Sequence, residues 1–558
     1  MTTTTRVDER PHHRTVGGLL AEQATRFPDR PFIQMVGGSP CTYAQAYARA
    51  RRIATGLGRA GLQKGQAAVL MLGNSLDHIF TSYAVNLLGG IEVSINTGYR
   101  GAALEHAIRQ CGAKLIVVEA QFLPLVHAAL PAVPALETVV VVGTSTNSGG
   151  WGRVRLLGFD ELGRNDGDLE LPQVRHSDIA SIIYTSGTTG PAKGVLMPHA
   201  QVVLLARRTA EQCRLGPDDV VYCYLPMFHM AGKFMSVLGT MSAGGKVVLD
   251  DRFSADKWLG RIRDCGATFT GGHGPMLEMI HALPATADDR NHSLRTVCSA
   301  PFPKQIAGSF QERFGVRGLE VWGMTEVGIP CWSSLDEPLH EGSCGRVDDE
   351  WFEFRIVDPA TDEPLPTGET GEFVVRACHP FTLMQGYIGM PEKTVEAWRN
   401  MWFHTGDVGY IDASGLVYFV DRGSERIRRR AENISPYDIE VAALKHPAVA
   451  EAAAVGVPSG LSGDDDVKLC VVLRDGVALE AVDLVRHLAA ELPHFMVPRY
   501  LEFVEALPRS ATHKVQRAAL KRPPFGADVW DRKQHGVALR DLVNGMSASP
   551  NPGRAGDN

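Results

Sequence analysis

From Pro31 to Asp251 the chain alternates short apolar runs with stretches whose apolar residues recur at helical spacing. Tyr47, Ala50, Ala54 and Leu57 follow the turn at Thr42 in that rhythm and predict an amphipathic helix. The runs AAVLML (67–72), KLIVVEA (114–120), TVVVVG (138–143) and KVVLDD (246–251) are continuous rather than alternating. Such β-branched runs between helices predict parallel strands covered on both faces. GTSTNSGGWG (143–152) predicts a surface loop.

Beyond residue 340 the pattern changes. FEFRIVD, GEFVVRA and GLVYFVDR are separated by turn-rich stretches such as DPATDEPLPTGETG, which predicts antiparallel strands and hairpins. After Asp421 a short α+β pattern follows, with a helix over 436–445, strands at AAAVGVP and KLCVVL, and a helix over 481–491. The reading is an α/β chain of three parts: a large N-terminal domain over 1–420, a small C-terminal domain over 421–523, and a disordered tail over 524–558.

Composition narrows the function. The 558 residues are 44% hydrophobic and 21% charged, and the formal charge of −7 argues against a nucleic-acid binder. No run reaches the ~18 apolar residues of a membrane span, and MTTTTRVDERPHHR lacks the apolar segment of a secretory signal. Ten cysteines are scattered with no CxxC pair, as expected of reduced thiols in a cytoplasmic enzyme.

The chemistry begins at YTSGTTGPAKGVLMPH (184–199), where the strand-like SIIYT runs into a glycine-rich loop. Gly187, Gly190 and Gly194 would let backbone N–H groups turn inward; Ser186, Thr188 and Thr189 add hydroxyls, and Lys193 adds a positive charge. These are the parts of a phosphate cradle. The P-loop pattern GxxxxGK[ST] fails, because Ala192 and Gly194 stand where it needs Gly and Ser or Thr.

TSGTTGPAKG resembles the phosphate-loop signature of the adenylate-forming superfamily, which includes acyl-CoA synthetases, adenylation domains of peptide synthetases and beetle luciferases. The resemblance runs in order over residues 15–522, and DRGSERIRRRAENISPYDIE is similar to the acyl-CoA synthetase branch. It implies a multi-layered N-terminal domain of parallel and mixed sheets with flanking helices and a distorted barrel, and a small mobile C-terminal domain. It also implies ATP- and Mg²⁺-dependent activation of a carboxylic acid to an acyl-adenylate, followed by thioester formation with coenzyme A.

The site residues follow by the same resemblance. Thr185, Ser186, Gly187, Thr188, Thr189, Gly190 and Lys193 would hold the β- and γ-phosphates. In WGMTEVG (322–328), Trp322 would stack on the base, with Gly323 and Met324 beside it; Thr325 would donate to phosphate and Glu326 would hold Mg²⁺. Asp407, expected in a tight turn, would accept from the ribose hydroxyls, with Arg422 as a second contact. Ser299, Ala300 and Pro301 resemble a lining of the adenine and acyl pocket. His229 in LPMFHMAG resembles a gate beside the carboxylate, which Lys233 would pair with unless it is solvated. Gly271, Gly272 and Gly274 in TFTGGHGPML, with Ala300 opposite, are expected to leave room for a bulky or medium-to-long apolar acid. Lys514 matches the family's catalytic lysine, a cation that contacts both reacting groups.

Three departures from the family pattern bear on the second half-reaction. Ser424 replaces the hinge Asp or Lys, Ala431 replaces a glycine of RRRGENIS that resembles a wall of the pantetheine tunnel, and His513 precedes Lys514 in place of glycine. They raise an alternative: an adenylation-only enzyme whose acyl-AMP passes to a separate CoA ligase or carrier protein, with no fused carrier domain expected after Lys514. A non-turnover ATP sensor would be expected to lack Glu326 or Lys514, and both are present. The resemblance is compatible with a homodimer.

Overall fold

The structure is a computed structural model that describes residues 14–144, 150–163, 170–185, 191–422, 427–429, 432–434, 436–461, 464–508, 515–521 and 528–539. The chain divides into two compact units. The larger takes Met1–Thr97, Glu105–Thr185 and Lys193–Ser424; the smaller takes Glu425–Asn558 with the short stretches Gly98–Leu104 and Ser186–Ala192.

The helix predicted after Thr42 spans Tyr43–Arg59. Thr42 caps it, its hydroxyl accepting from Gln45 N while the Gln45 side chain accepts from Thr42 N. Ala50, Ala54 and Leu57 lie on its buried face.

Two large sheets build the larger unit. An eight-stranded sheet has, in spatial order, Gly386–Tyr387, Lys193–Pro198, Ile179–Thr185, Ile91–Ser94, Ala67–Met71, Leu115–Glu119, Thr138–Val142 and Arg155–Gly158. Its middle is parallel, as the continuous apolar runs require. Lys246–Leu249 belongs instead to a nine-stranded sheet, parallel to Val220–Cys223 and to Pro31–Met35. Periodicity predicts such a strand but not which sheet receives it. A third, antiparallel sheet follows the order Phe352–Val357, Gly371–Ala377, Phe403–Ile411, Val417–Arg422.

The smaller unit has its own core, in which Ile427, Ile439, Val467, Leu469, Leu484 and Leu488 are buried together. Its helices span Pro436–Leu444 and Ala481–Glu491, and its strands Val449–Pro458 and Asp465–Leu473.

Two expectations are corrected here. The tail is not wholly unstructured: Val529–Asp531 pairs antiparallel with Tyr500–Phe503. A three-residue strand among charged residues carries no readable period. The stretch 143–152 is not all surface either, because Trp151 is buried with its ring 4.9 Å from that of His127, edge to face.

Candidate active site

Four parallel strands of the nine-stranded sheet, Val220–Cys223, Phe269–Gly272, Thr296–Ser299 and Arg317–Met324, lie side by side in the larger unit. In register, Gly272 stands beside Ser299 and Ser299 beside Glu320. LPMFHMAG, HGPML, APFP and TEVG therefore all leave from the same carboxyl edge, the side of an open α/β sheet where ligands bind. The topology thus brings His229, Gly271, Gly272, Gly274, Ser299, Ala300, Pro301, Trp322, Thr325 and Glu326 to one edge.

Thr325 and Glu326 occupy the turn between Arg317–Met324 and Gly328–Trp332. Gly323 makes that hairpin possible, since a Cβ there would sit 2.1 Å from Gly328 O. The turn is gripped from two sides. Gln201 Nε2 donates to Thr325 O at 3.0 Å and to Glu326 O at 3.1 Å, and Met384 N donates to Glu326 O at 2.9 Å.

The eight-stranded sheet brings the phosphate-loop residues. Thr185 and Lys193 are partners across the antiparallel pair Ile179–Thr185 and Lys193–Pro198, so the loop leaves and returns at one point. Tyr387 joins the two halves of the site. Its hydroxyl donates to Glu326 Oε1 at 3.0 Å, and Lys193 Nζ lies 4.7 Å from its ring centroid. Burial pulls Lys193 below the ordinary lysine pKa, partly offset by the negative charge of Glu326. Burial and that same charge push the Tyr387 phenol well up, so it stays a donor.

Asp407 lies within the strand Phe403–Ile411, not in the tight turn expected. Thr-Gly-Asp has turn composition, but Gly406 takes φ +71° inside the ladder and pairing continues past it. The Asp407 carboxylate is buried and accepts at Oδ2 from Trp322 Nε1 at 2.9 Å. Arg422 is its partner across the ladder. Trp322 is only 6% exposed and meets Phe354 and Phe373 edge to face, so little indole surface is open for the base stacking expected of it. Its polar contact is with Asp407.

Lys233 requires a correction. It is neither solvated nor open to a substrate carboxylate: it is 3% exposed and its ammonium is paired with Glu92 Oε2. Ser181 Oγ donates to the same oxygen at 2.8 Å, and Ser94 Oγ donates to Oε1. Burial lowers the lysine's pKa, countered by Glu92; burial raises the Glu92 pKa, but Lys233, the Ser94 hydroxyl and His78 together bring it below the ordinary value. The pair joins Ile91–Ser94 to the π-helical segment Ala231–Leu238, which begins two residues after His229. His229 is half-buried, with its ring 5.9 Å from that of His273 at 88°.

The expected room at the glycines is corrected as well. A Cβ at Gly272 would meet Tyr224 Oη at 2.9 Å, and one at Gly274 would meet Pro301 O at 3.3 Å. Protein atoms already fill both places. At Gly271 the nearest neighbour, Leu225 Cδ1, would be at an ordinary 3.5 Å. Gly194 also differs, being paired with Tyr184 inside a strand rather than turning in a loop. Ser299 Oγ donates to Pro301 O at 2.7 Å. Ser186, Gly187, Thr188, Thr189, Gly190, Ser424, Ala431, His513 and Lys514 lie outside the described residues.

Sequence reasoning missed Tyr387, Gln201 and Glu92. Tyr387 is 61 positions from Glu326 and Gln201 is 124 from Thr325, so no local spacing connects them.

A parallel sheet with its binding segments on the carboxyl edge, a strand–loop–strand holding a lysine, and a carboxylate beside that lysine define a nucleotide-dependent enzyme. The chain matches the model of the AMP-binding enzymes over residues 20–388 and that of the AMP-binding enzyme C-terminal domain over 438–514, and it belongs to this family. It is 32% identical to the crotonobetaine/carnitine–CoA ligase of Shigella sonnei (strain Ss046) over 472 residues, 83% of this chain and 89% of that one. Among solved structures it resembles the anthranilate CoA ligase AuaEII in complex with anthranoyl-AMP, with TM-score 0.69 and 25% identity over 91% of this chain and 97% of that one. It also resembles ATP-bound MatB from Rhodopseudomonas palustris, with TM-score 0.66 and 27% identity over 91% and 98%. The protein is an AMP-forming ligase of the acyl-CoA synthetase kind. Among the described residues no helix is long and apolar enough to cross a membrane.

Proposed function

We propose that the edge around Glu326 is where a carboxylic acid with an apolar body attacks the α-phosphorus of ATP, releasing pyrophosphate and leaving an acyl-adenylate. The observation that carries this reading is the Lys193–Tyr387–Glu326 contact, which sets a cation and a carboxylate beside the ends of the phosphate loop. Lys193 and the loop residues 185–190 hold the outer phosphates, and Thr325 donates to phosphate.

Mg²⁺ fits the donor set. A hard carboxylate oxygen oriented by Tyr387 suits an ion that takes one or two carboxylates and completes its shell with phosphate oxygens and water. Glu326 would hold the ion, and its chemistry there is to offset the phosphate charge.

Asp407, oriented by the Trp322 N–H, accepts from the ribose, and Arg422 supports it. Ser299, Ala300 and Pro301 border base and acid, His229 faces the acid, and Gly271 offers room beside it. Lys514 bridges the attacking carboxylate and the phosphate, and the thiol of coenzyme A then displaces AMP. Cysteine usage supports a cytoplasmic setting.

The test is a panel of carboxylic acids, including betaines and aryl acids, scored for ATP-dependent pyrophosphate release with and without coenzyme A. At least one apolar acid is expected to give release and a CoA thioester. Release without thioester would favour the adenylation-only alternative, with Ala431→Gly as the rescue; no release with any acid would overturn the reading.

A further inference from the structure

The C-terminal family match ends at residue 514, yet the chain continues into an ordered strand. Val529–Asp531 forms the edge of the smaller unit's four-stranded sheet, with Asp531 opposite Tyr500 and Val529 opposite Glu502. Trp530 packs against that unit's core and stacks with His535 at 5.2 Å.

Asp531 begins a chain of alternating charges. Arg499 donates to it from two nitrogens, from Nε to Oδ1 at 3.2 Å and to Oδ2 at 3.3 Å, and from Nη2 to Oδ2 at 2.9 Å. The same guanidinium donates from Nη1 to Asp466 Oδ2 at 2.7 Å. Asp466 Oδ1 lies 3.6 Å from Arg429 Nη2. Arg429 Nη1 in turn donates to Val497 O at 3.0 Å and Phe495 O at 3.2 Å. Asp531, Asp466 and Arg429 are all buried.

Arg429 ends the strand Ile427–Arg429, which pairs antiparallel with Glu432–Ile434. These two strands carry Arg428, Arg429, Glu432 and Asn433 of the RRRAEN motif. Arg499 is partly exposed and Lys533 Nζ also comes within 4.0 Å of Asp466, so the buried members Asp531, Asp466 and Arg429 feel the loss of a neighbour most, because it leaves charge uncompensated away from water. A loss at Asp531 is therefore felt by Arg499, then Asp466, then the hairpin.

We propose that the segment Asp528–His535 is a strap whose Asp531–Arg499–Asp466–Arg429 row holds the RRRAEN hairpin in place for the thioester-forming step. The proposal rests on the CoA-ligase reading for its consequence in turnover. Asp531 and Arg499 are positioning residues that act through Arg429.

The test uses the full-length chain with Asp531→Asn, which keeps the strand and removes the charge. Amide hydrogen exchange over 427–434 is expected to quicken about tenfold while the helix Ala481–Glu491 keeps its protection. With an acid the parent turns over, CoA-thioester formation is expected to slow about fivefold while ATP–pyrophosphate exchange stays within about twofold, and Asp531→Glu is expected to restore most of the loss. Unchanged hairpin exchange would overturn the strap. So would faster exchange in hairpin and helix alike with equal losses in both half-reactions, which would mark general loosening. If the parent makes no thioester from any acid, the ligase reading falls, while the exchange comparison still decides the strap.

Discussion

The turn at Thr325–Glu326 and the hairpin of Ile427–Arg429 and Glu432–Ile434 are held in opposite ways. Neutral donors of the larger unit grip the turn: Gln201 from a helix, the Tyr387 hydroxyl from a strand, and Met384 N from the loop before that strand. A row of charges, buried except at the partly exposed Arg499, grips the hairpin and reaches back to the tail strand. Neutral hydrogen bonds hold one geometry without adding net charge beside bound phosphates. Charged rows are all-or-none, since a missing member strands its neighbour. The first suits a site that must keep its shape through bond making, and the second suits an element that must stay intact on a small unit.

The largest effect is expected at the turn itself. Glu326→Gln keeps the shape and removes the charge, and should lower acid-dependent ATP–pyrophosphate exchange by ~10²–10³-fold, the scale of a lost electrostatic group. Added Mg²⁺ should recover little of it. A loss under about threefold would mean the turn is structural.

Next comes a buried charge inside the larger unit. Glu92→Gln leaves Lys233 without its counter-charge and should cost ~3–5 kcal/mol in urea unfolding. Adding Lys233→Met should return most of that. Failure of the double variant to recover would show that the pair acts through more than charge.

A smaller effect is expected at Trp322. Trp322→Phe removes the N–H that orients Asp407, a hydrogen bond to a charged group worth ~1.5–3 kcal/mol. The KM for ATP should rise about tenfold, with kcat changed less, because the ribose contact serves ground state and transition state alike.

The smallest effect depends on pH. Glu320 is buried beside the pocket segment, and burial raises its pKa well above the usual carboxylate range. A group raised in the folded state contributes its full stability below the unfolded value of ~4.3 and loses it as pH climbs through the folded value. Glu320→Gln removes that dependence, so its Tm should gain on the parent's between pH 5 and 8. A constant difference would contradict a protonated Glu320.

How much of this was legible depends on whether the cause is local. The parallel strands and the Tyr43–Arg59 helix could be read because burial period and cap lie within a few residues of one another. Lys193, Glu326 and Asp407 stand in dense motifs, which makes them legible as candidates from the sequence alone. Asp407's strand was not, because one glycine at positive φ inside a ladder looks like a turn in composition. Lys233 was misjudged because its partner Glu92 lies 141 positions away on another element. Gly272 and Gly274 read as open space in one dimension, whereas in three Tyr224 and Pro301 occupy it.

The most direct measurement is rapid-quench formation of acyl-AMP from ATP and an accepted acid, in the parent and in Lys514→Ala. With coenzyme A absent, the parent is expected to give a burst of acyl-adenylate and pyrophosphate, and the variant a rate ~10²–10³-fold lower. Equal rates in the two proteins, or no acyl-adenylate from the parent with any acid, would contradict it.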